Sequence, residues 1–138
     1  MSLINTILNA VQTLLINANT AAGSRVFRRL EEPLGMDESP ALDVRYQGDT
    51  SSDMGGMQVK REIFFEVAAL SRSSTPESDA LELMAVAHNT IMQDRTLGGL
   101  VALIGNDRGE AQSDDAEVGA CLVSRQYRAI CNSNAYQL

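Results

Sequence analysis

The sequence predicts an α+β fold, a two-layer sandwich in which two main helices lie on one face of a mostly antiparallel, mixed sheet of about five strands. Two observations carry this. Only two segments repeat with a helical period, too few to cover both faces of a doubly wound parallel sheet. Second, 138 residues, 44% of them hydrophobic and 21% charged, amount to a single domain over residues 1–138. Such a domain buries roughly two-thirds of its unfolded surface without a disulfide or metal.

The first helix follows from Leu3, Ile4, Ile7, Leu8, Val11, Leu14 and Leu15, which fall at i, i+3, i+4 and i+7 behind a capping Ser2. Asn5, Thr6, Asn9, Gln12, Thr13 and Asn17 interrupt the apolar run, and no basic segment precedes it. The run is therefore expected to be neither a signal peptide nor a membrane span. Residues 25–30 read as a short strand. Residues 31–40, with Pro33, Gly35 and Pro40, read as a loop. Residues 41–47 alternate Leu42, Val44 and Tyr46 against Asp43, Arg45 and Gln47, which is a strand with one wet face.

Residues 48–57 show no apolar period and contain Ser51, Ser52, Gly55 and Gly56, so a mobile loop is expected there. A long strand follows over 58–71, with Val59, Ile63, Phe65, Val67 and Ala69 inward and Lys60, Glu62, Phe64 and Glu66 outward. Pro76, Glu77 and Asp79 start a helix that runs to about Gln93, with Ala80, Leu81, Leu83, Met84, Ala87, His88 and Ile91 as a broad buried face. Residues 100–104 read as a buried strand, 105–109 as a turn-rich stop, 110–117 as an acidic segment and 118–132 as the last long strand.

The 11 Lys plus Arg against 18 Asp plus Glu leave a net charge of −7. That balance argues against gripping nucleic acid, because a phosphate-binding surface needs a cationic surplus. It argues equally against anionic membranes. Cys121 and Cys131 fall on one extended segment, roughly 30 Å apart at the ordinary strand rise, so they are not expected to pair. Two apolar thiols fit a reducing compartment.

Catalytic signatures are missing. The single histidine, His88, lies on a helix face between Met84 and Ile91 with no nucleophile-elbow, Cys/His or zinc-helix pattern around it. A half-buried helix histidine is the expected reading. Asp107, Glu110, Asp114, Asp115 and Glu117 match no calcium loop, and the glycine pairs lack a phosphate-binding arrangement. No metal or cofactor is expected. What remains is surface suited to a partner: Met54 and Met57 on the expected loop, Phe64 on the outward face, Arg61, and the basic cluster Arg28 and Arg29.

Several segments resemble one family. They are Pro-Ala-Leu-Asp-Val-Arg-Tyr-Gln-Gly-Asp at 40–49, Lys-Arg-Glu-Ile-Phe-Phe-Glu-Val at 60–67, Asp-Arg-Thr-Leu-Gly-Gly-Leu at 94–100 and Arg-Gln-Tyr-Arg at 125–128. With the short N-terminal helix and the proline-started second helix, they make nearly the whole chain similar to the tail-terminator, or tail-completion, proteins of long-tailed bacteriophages and prophages. Thr-Leu-Gly-Gly is the most telling of these motifs. The resemblance implies a non-enzymatic homo-oligomer, a hexameric ring that caps the head-proximal end of a finished tail tube and stops its polymerisation. It implies the tail tube protein and the head-tail connector protein as partners, a place in the virion tail, and assembly in the bacterial host cytoplasm.

DNA would pass through such a ring without specific binding. Carboxylates facing the channel would repel phosphates over about a Debye length, ~8 Å at physiological salt. Asp49, Asp53, Asp107, Asp114, Asp115 and Glu117 are the candidates. The alternatives are another neck or head-tail joining protein of the same fold and, from a different class, a small-molecule-binding domain or enzyme built around His88.

Overall fold

The computed structural model describes residues 2–28, 39–113 and 119–134, with backbone alone for 106, 107 and 110–113. The described residues form an α+β fold in the order α1 (Leu3–Asn17), β1 (Val26–Arg28), β2 (Ala41–Gly55), β3 (Gln58–Arg72), α2 (Pro76–Gln93), β4 (Leu103–Ser113) and β5 (Ala120–Asn134). They make one five-stranded sheet, ordered β1-β2-β3-β5-β4. β1 runs parallel to β2 and every other pair is antiparallel, the mixed character expected from the sequence.

Helix α1 begins where Ser2 Oγ accepts a 3.2 Å hydrogen bond from the Asn5 amide, a cap worth about 1 kcal/mol. Its Ile7, Leu8, Val11 and Leu15 are fully buried. Helix α2 starts at Pro76, which has no N–H to leave unsatisfied, and Asp79 of its first turn accepts from Ser73 Oγ at 2.6 Å. The buried side of α2 is narrower than expected. Ala80, Leu83, Met84, Ala87 and Ile91 are buried, but Leu81 is about half exposed and His88 only half-buried.

Both helices pack on one face of the sheet. A single apolar cluster joins their buried sides to Val26 of β1, Leu42 and Val44 of β2, Ile63, Phe65, Val67 and Ala69 of β3, Ile104 of β4, and Val123, Tyr127 and Ala129 of β5. Phe65 and Tyr127 are cross-strand partners whose rings stack at 5.4 Å. Such a pair contributes about 0.5–1.5 kcal/mol beyond its burial. Because side chains alternate along a strand, Phe64, Glu66, Arg128 and Ile130 lie on the opposite, helix-free face.

Two expectations about loops are corrected. Residues 48–55 are not a loop: they continue β2, pairing with β3 from Gly48 opposite Phe64 to Gly55 opposite Gln58. The apolar alternation is missing because residues 50–55 are exposed on both faces, so backbone pairing rather than burial makes this segment a strand. Gly55 and Gly56, at φ +99° and +60°, supply the left-handed backbone that closes the hairpin. The 105–109 stop is likewise part of β4, which absorbs it in an irregularity between Asn106 and Gly109. The strand expected at 100–104 starts only at Leu103, after a run of turns. The last strand runs Ala120–Asn134 rather than 118–132. Of the strand expected at 25–30, Val26–Arg28 is formed and the remainder lies outside the described residues.

Candidate interaction surfaces

Beyond Leu103, where β4 begins opposite Ile130 of β5, strands β2, β3 and β5 continue without it as a three-stranded tongue. Four more residues of β3, from Arg61 to Gln58, carry the tongue ~13 Å further at the ordinary strand rise. Met54 and Met57 sit at its tip, 55% and 45% exposed. Asp53 is exposed beside them. The two methionines singled out from sequence thus do sit together on open surface, carried by a hairpin instead of a loop.

A polar network stiffens the tongue. Arg61, 5% exposed, donates from Nε to Ser133 Oγ at 3.3 Å and places a second nitrogen 3.5 Å from Asp49 Oδ2. Asp49 also accepts from the Tyr46 hydroxyl. That hydrogen bond, with burial and the Asp49 charge adding to it, pushes the Tyr46 phenol up despite the opposing pull of Arg61. Cys131 stands cross-strand from Arg61, and burial raises its thiol pKa against the same cation. It is a free, buried thiol, as is Cys121.

Arg28 is tied to the first helix. It donates to Asn9 Oδ1 at 2.6 Å and Asn5 Oδ1 at 3.4 Å, and burial lowers its pKa while Asp43 opposes the shift. Arg29, Asp114, Asp115 and Glu117 lie outside the described residues, and the side chain of Asp107 is not described. Phe64 is half-buried on the helix-free face. There Arg45 joins Asp43, 2.6 Å away, and Glu66, 3.9 Å away, while Lys60 approaches Glu62 at 3.7 Å.

His88 is half-buried, and its Nδ1 lies 2.8 Å from the Tyr127 hydroxyl. Burial, reinforced by Arg125, lowers the His88 pKa. Burial also raises the Tyr127 phenol far above its ordinary range. At neutral pH the phenol therefore keeps its proton and donates to a neutral imidazole. Sequence reasoning missed Tyr127. Its spacing in the strand is that of a core residue, and only the register shows that it meets the histidine. An open groove of ≈ 460 Å³ runs past His88, lined by Leu81, Met84 and Ala85 of α2 with Gly109 and Arg125 opposite.

Among the described residues no group of three His, Cys, Asp or Glu side chains converges as a metal site. No helix among them is long and apolar enough to cross a membrane.

No protein-family profile and no characterised protein matches the sequence. The fold does have a solved counterpart. A chain in the virion of a native gene transfer agent particle is similar with a TM-score of 0.54, covering 92% of this chain and 95% of that chain at 11% sequence identity. At that identity the likeness is one of fold, and it extends over nearly the full length of both chains.

Proposed function

We propose that this chain is a structural protein of a phage-like virion, and within that class a tail terminator. It caps the head-proximal end of the tail tube as a hexameric ring, ends tube polymerisation and offers the surface on which the head connector docks. The observation that carries the reading is the end-to-end likeness to a chain of a gene transfer agent virion. The motifs that resemble tail terminators support the finer assignment. A stiff tongue with two exposed methionines suits a ring subunit, which must present different patches to its two neighbours.

In such a ring the acidic balance repels the DNA that passes through. Asp49 is matched by Arg61, which leaves Asp53 or the acidic residues of the sequence between 107 and 117 as the source of that charge. A channel whose potential is positive in a structure of the ring overturns this part of the reading. The test of the whole is electron microscopy of the protein mixed with growing tail tubes. Capped ends and arrested growth are expected. Tubes that bear the protein at their ends and still elongate overturn the terminator reading in favour of another neck or head-tail joining protein.

A further inference from the structure

Arg128 lies on the helix-free face of β5, an interior strand, with Phe64 of β3 on one side and Gly105 of β4 on the other. Its Nε is buried and lacks a hydrogen-bond partner, and among the described residues no carboxylate pairs with it. A buried guanidinium nitrogen left without an acceptor is unfavourable, and an acceptor supplied from outside, a carboxylate best of all, would relieve it. Glu62 and Glu66 lie diagonally from it on β3 and are engaged instead with Lys60 and Arg45, while its nearer neighbours on the face are apolar. Phe64 and Ile130 are half-buried, and Leu103, cross-strand from Ile130, is 40% exposed.

The complement sits elsewhere on the same chain. At the tongue tip Asp53 is exposed and pairs with no cation among the described residues, and the exposed Met54 and Met57 belong to the same hairpin end. This tip cannot reach its own chain's patch, because β2 and β3 are held in register to the turn within the same sheet. Copies carrying a net charge of −7 repel one another, and a contact that sets a cation of one against a carboxylate of the next lessens that repulsion. Arg128 and Asp53 offer such a pair, and methionine adapts readily to an irregular apolar surface.

We propose that the tongue tip of one copy docks on the Phe64–Arg128–Leu103 patch of a second copy, Asp53 pairing with Arg128 and the two methionines covering the apolar rim. The contact rests on the reading of the chain as a ring subunit. Knob and socket are different surfaces, so the contact is heterologous and repeats from copy to copy until it closes.

Charge exchange tests it. Wild-type protein, Asp53→Arg, Arg128→Glu and the double variant are compared by analytical ultracentrifugation over a concentration series, with circular dichroism to follow folding. Each single variant is expected to raise the concentration for half-assembly about tenfold or more, since each sets like charges together. The double variant is expected to assemble. So is an equimolar mixture of the two single variants, in which native and exchanged pairs alternate around the ring. Recovery on mixing also shows that both single variants fold.

Single variants that assemble like the wild type, or a mixture that fails to recover, overturn the contact and leave the capping reading intact. A wild-type chain that stays at 14.9 kDa at every concentration overturns it too. Assembly that follows the charge exchange while tail tubes go uncapped overturns the capping reading and keeps the contact.

Discussion

The two halves of the long β2–β3 hairpin are made of the same backbone ladder but are stabilised differently. In the half beneath the helices, Val44, Ile63, Phe65 and Val67 are fully buried, and apolar burial at ~25 cal/mol per Å² dominates. In the tongue, residues 50–55 are exposed, and what holds the strands is cross-strand hydrogen bonding plus the Arg61–Asp49–Ser133 network. The first half is built to stay folded. The second buries Val59 and Cys131 but keeps Met54 and Met57 at the surface, where they are free to meet another molecule.

The sharpest way to break this contrast is to cut each half at its own support. Phe65→Ala removes a buried ring from the stacked pair with Tyr127, and denaturant unfolding should show a loss of about 3–5 kcal/mol. Arg61→Ala removes the cation that Asp49 and Ser133 share. A smaller loss, about 1–3 kcal/mol, is expected in the same measurement. It should also raise amide exchange in residues 49–53 and 59–62 while leaving residues 65–69 protected. A uniform rise would mean that the two halves unfold as one unit.

Smaller still is the effect of Met54→Ser with Met57→Ser. Folded stability should change by no more than about 0.5 kcal/mol in thermal or denaturant melts, because exposed side chains contribute little to it. A large loss would show that the methionines support the fold instead of a contact.

The smallest effect is expected from His88. Its folded pKa is lowered, so the unfolded chain takes up the proton first. Stability should therefore fall as pH drops through about 6.5, the unfolded value, and the loss is complete only below the folded pKa. His88→Gln should flatten the slope of stability between about pH 7 and pH 5. Equal slopes for the two proteins would remove the histidine from the pH dependence.

How much of this was legible in residue order differs between the halves. The core strands and both helices announced themselves, because Leu42 and Val44, or Ile63, Phe65 and Val67, alternate with polar neighbours only if one face is buried. The tongue did not, since Ser51, Ser52 and Asp53 carry no periodic signal when both faces of a strand meet water. Arg61 was legible as a charged residue on the long strand but not as a buried one. Its burial follows from register with Val59 and Ile63, and its partners come from 12 residues before it, Asp49, and 72 residues after it, Ser133.

Local order thus settled the fold class, the two helices and the wide spacing of the two cysteines along one strand. Those depend on periodicity, composition and the reach of a short stretch of chain. It took the folded sheet to decide that residues 48–55 are strand, that His88 meets Tyr127, and that Phe64 and Arg128 share the helix-free face. Each of these is a pairing between residues distant along the chain, set by strand order and register. A one-residue shift in register would have sent every one of those side chains to the other side.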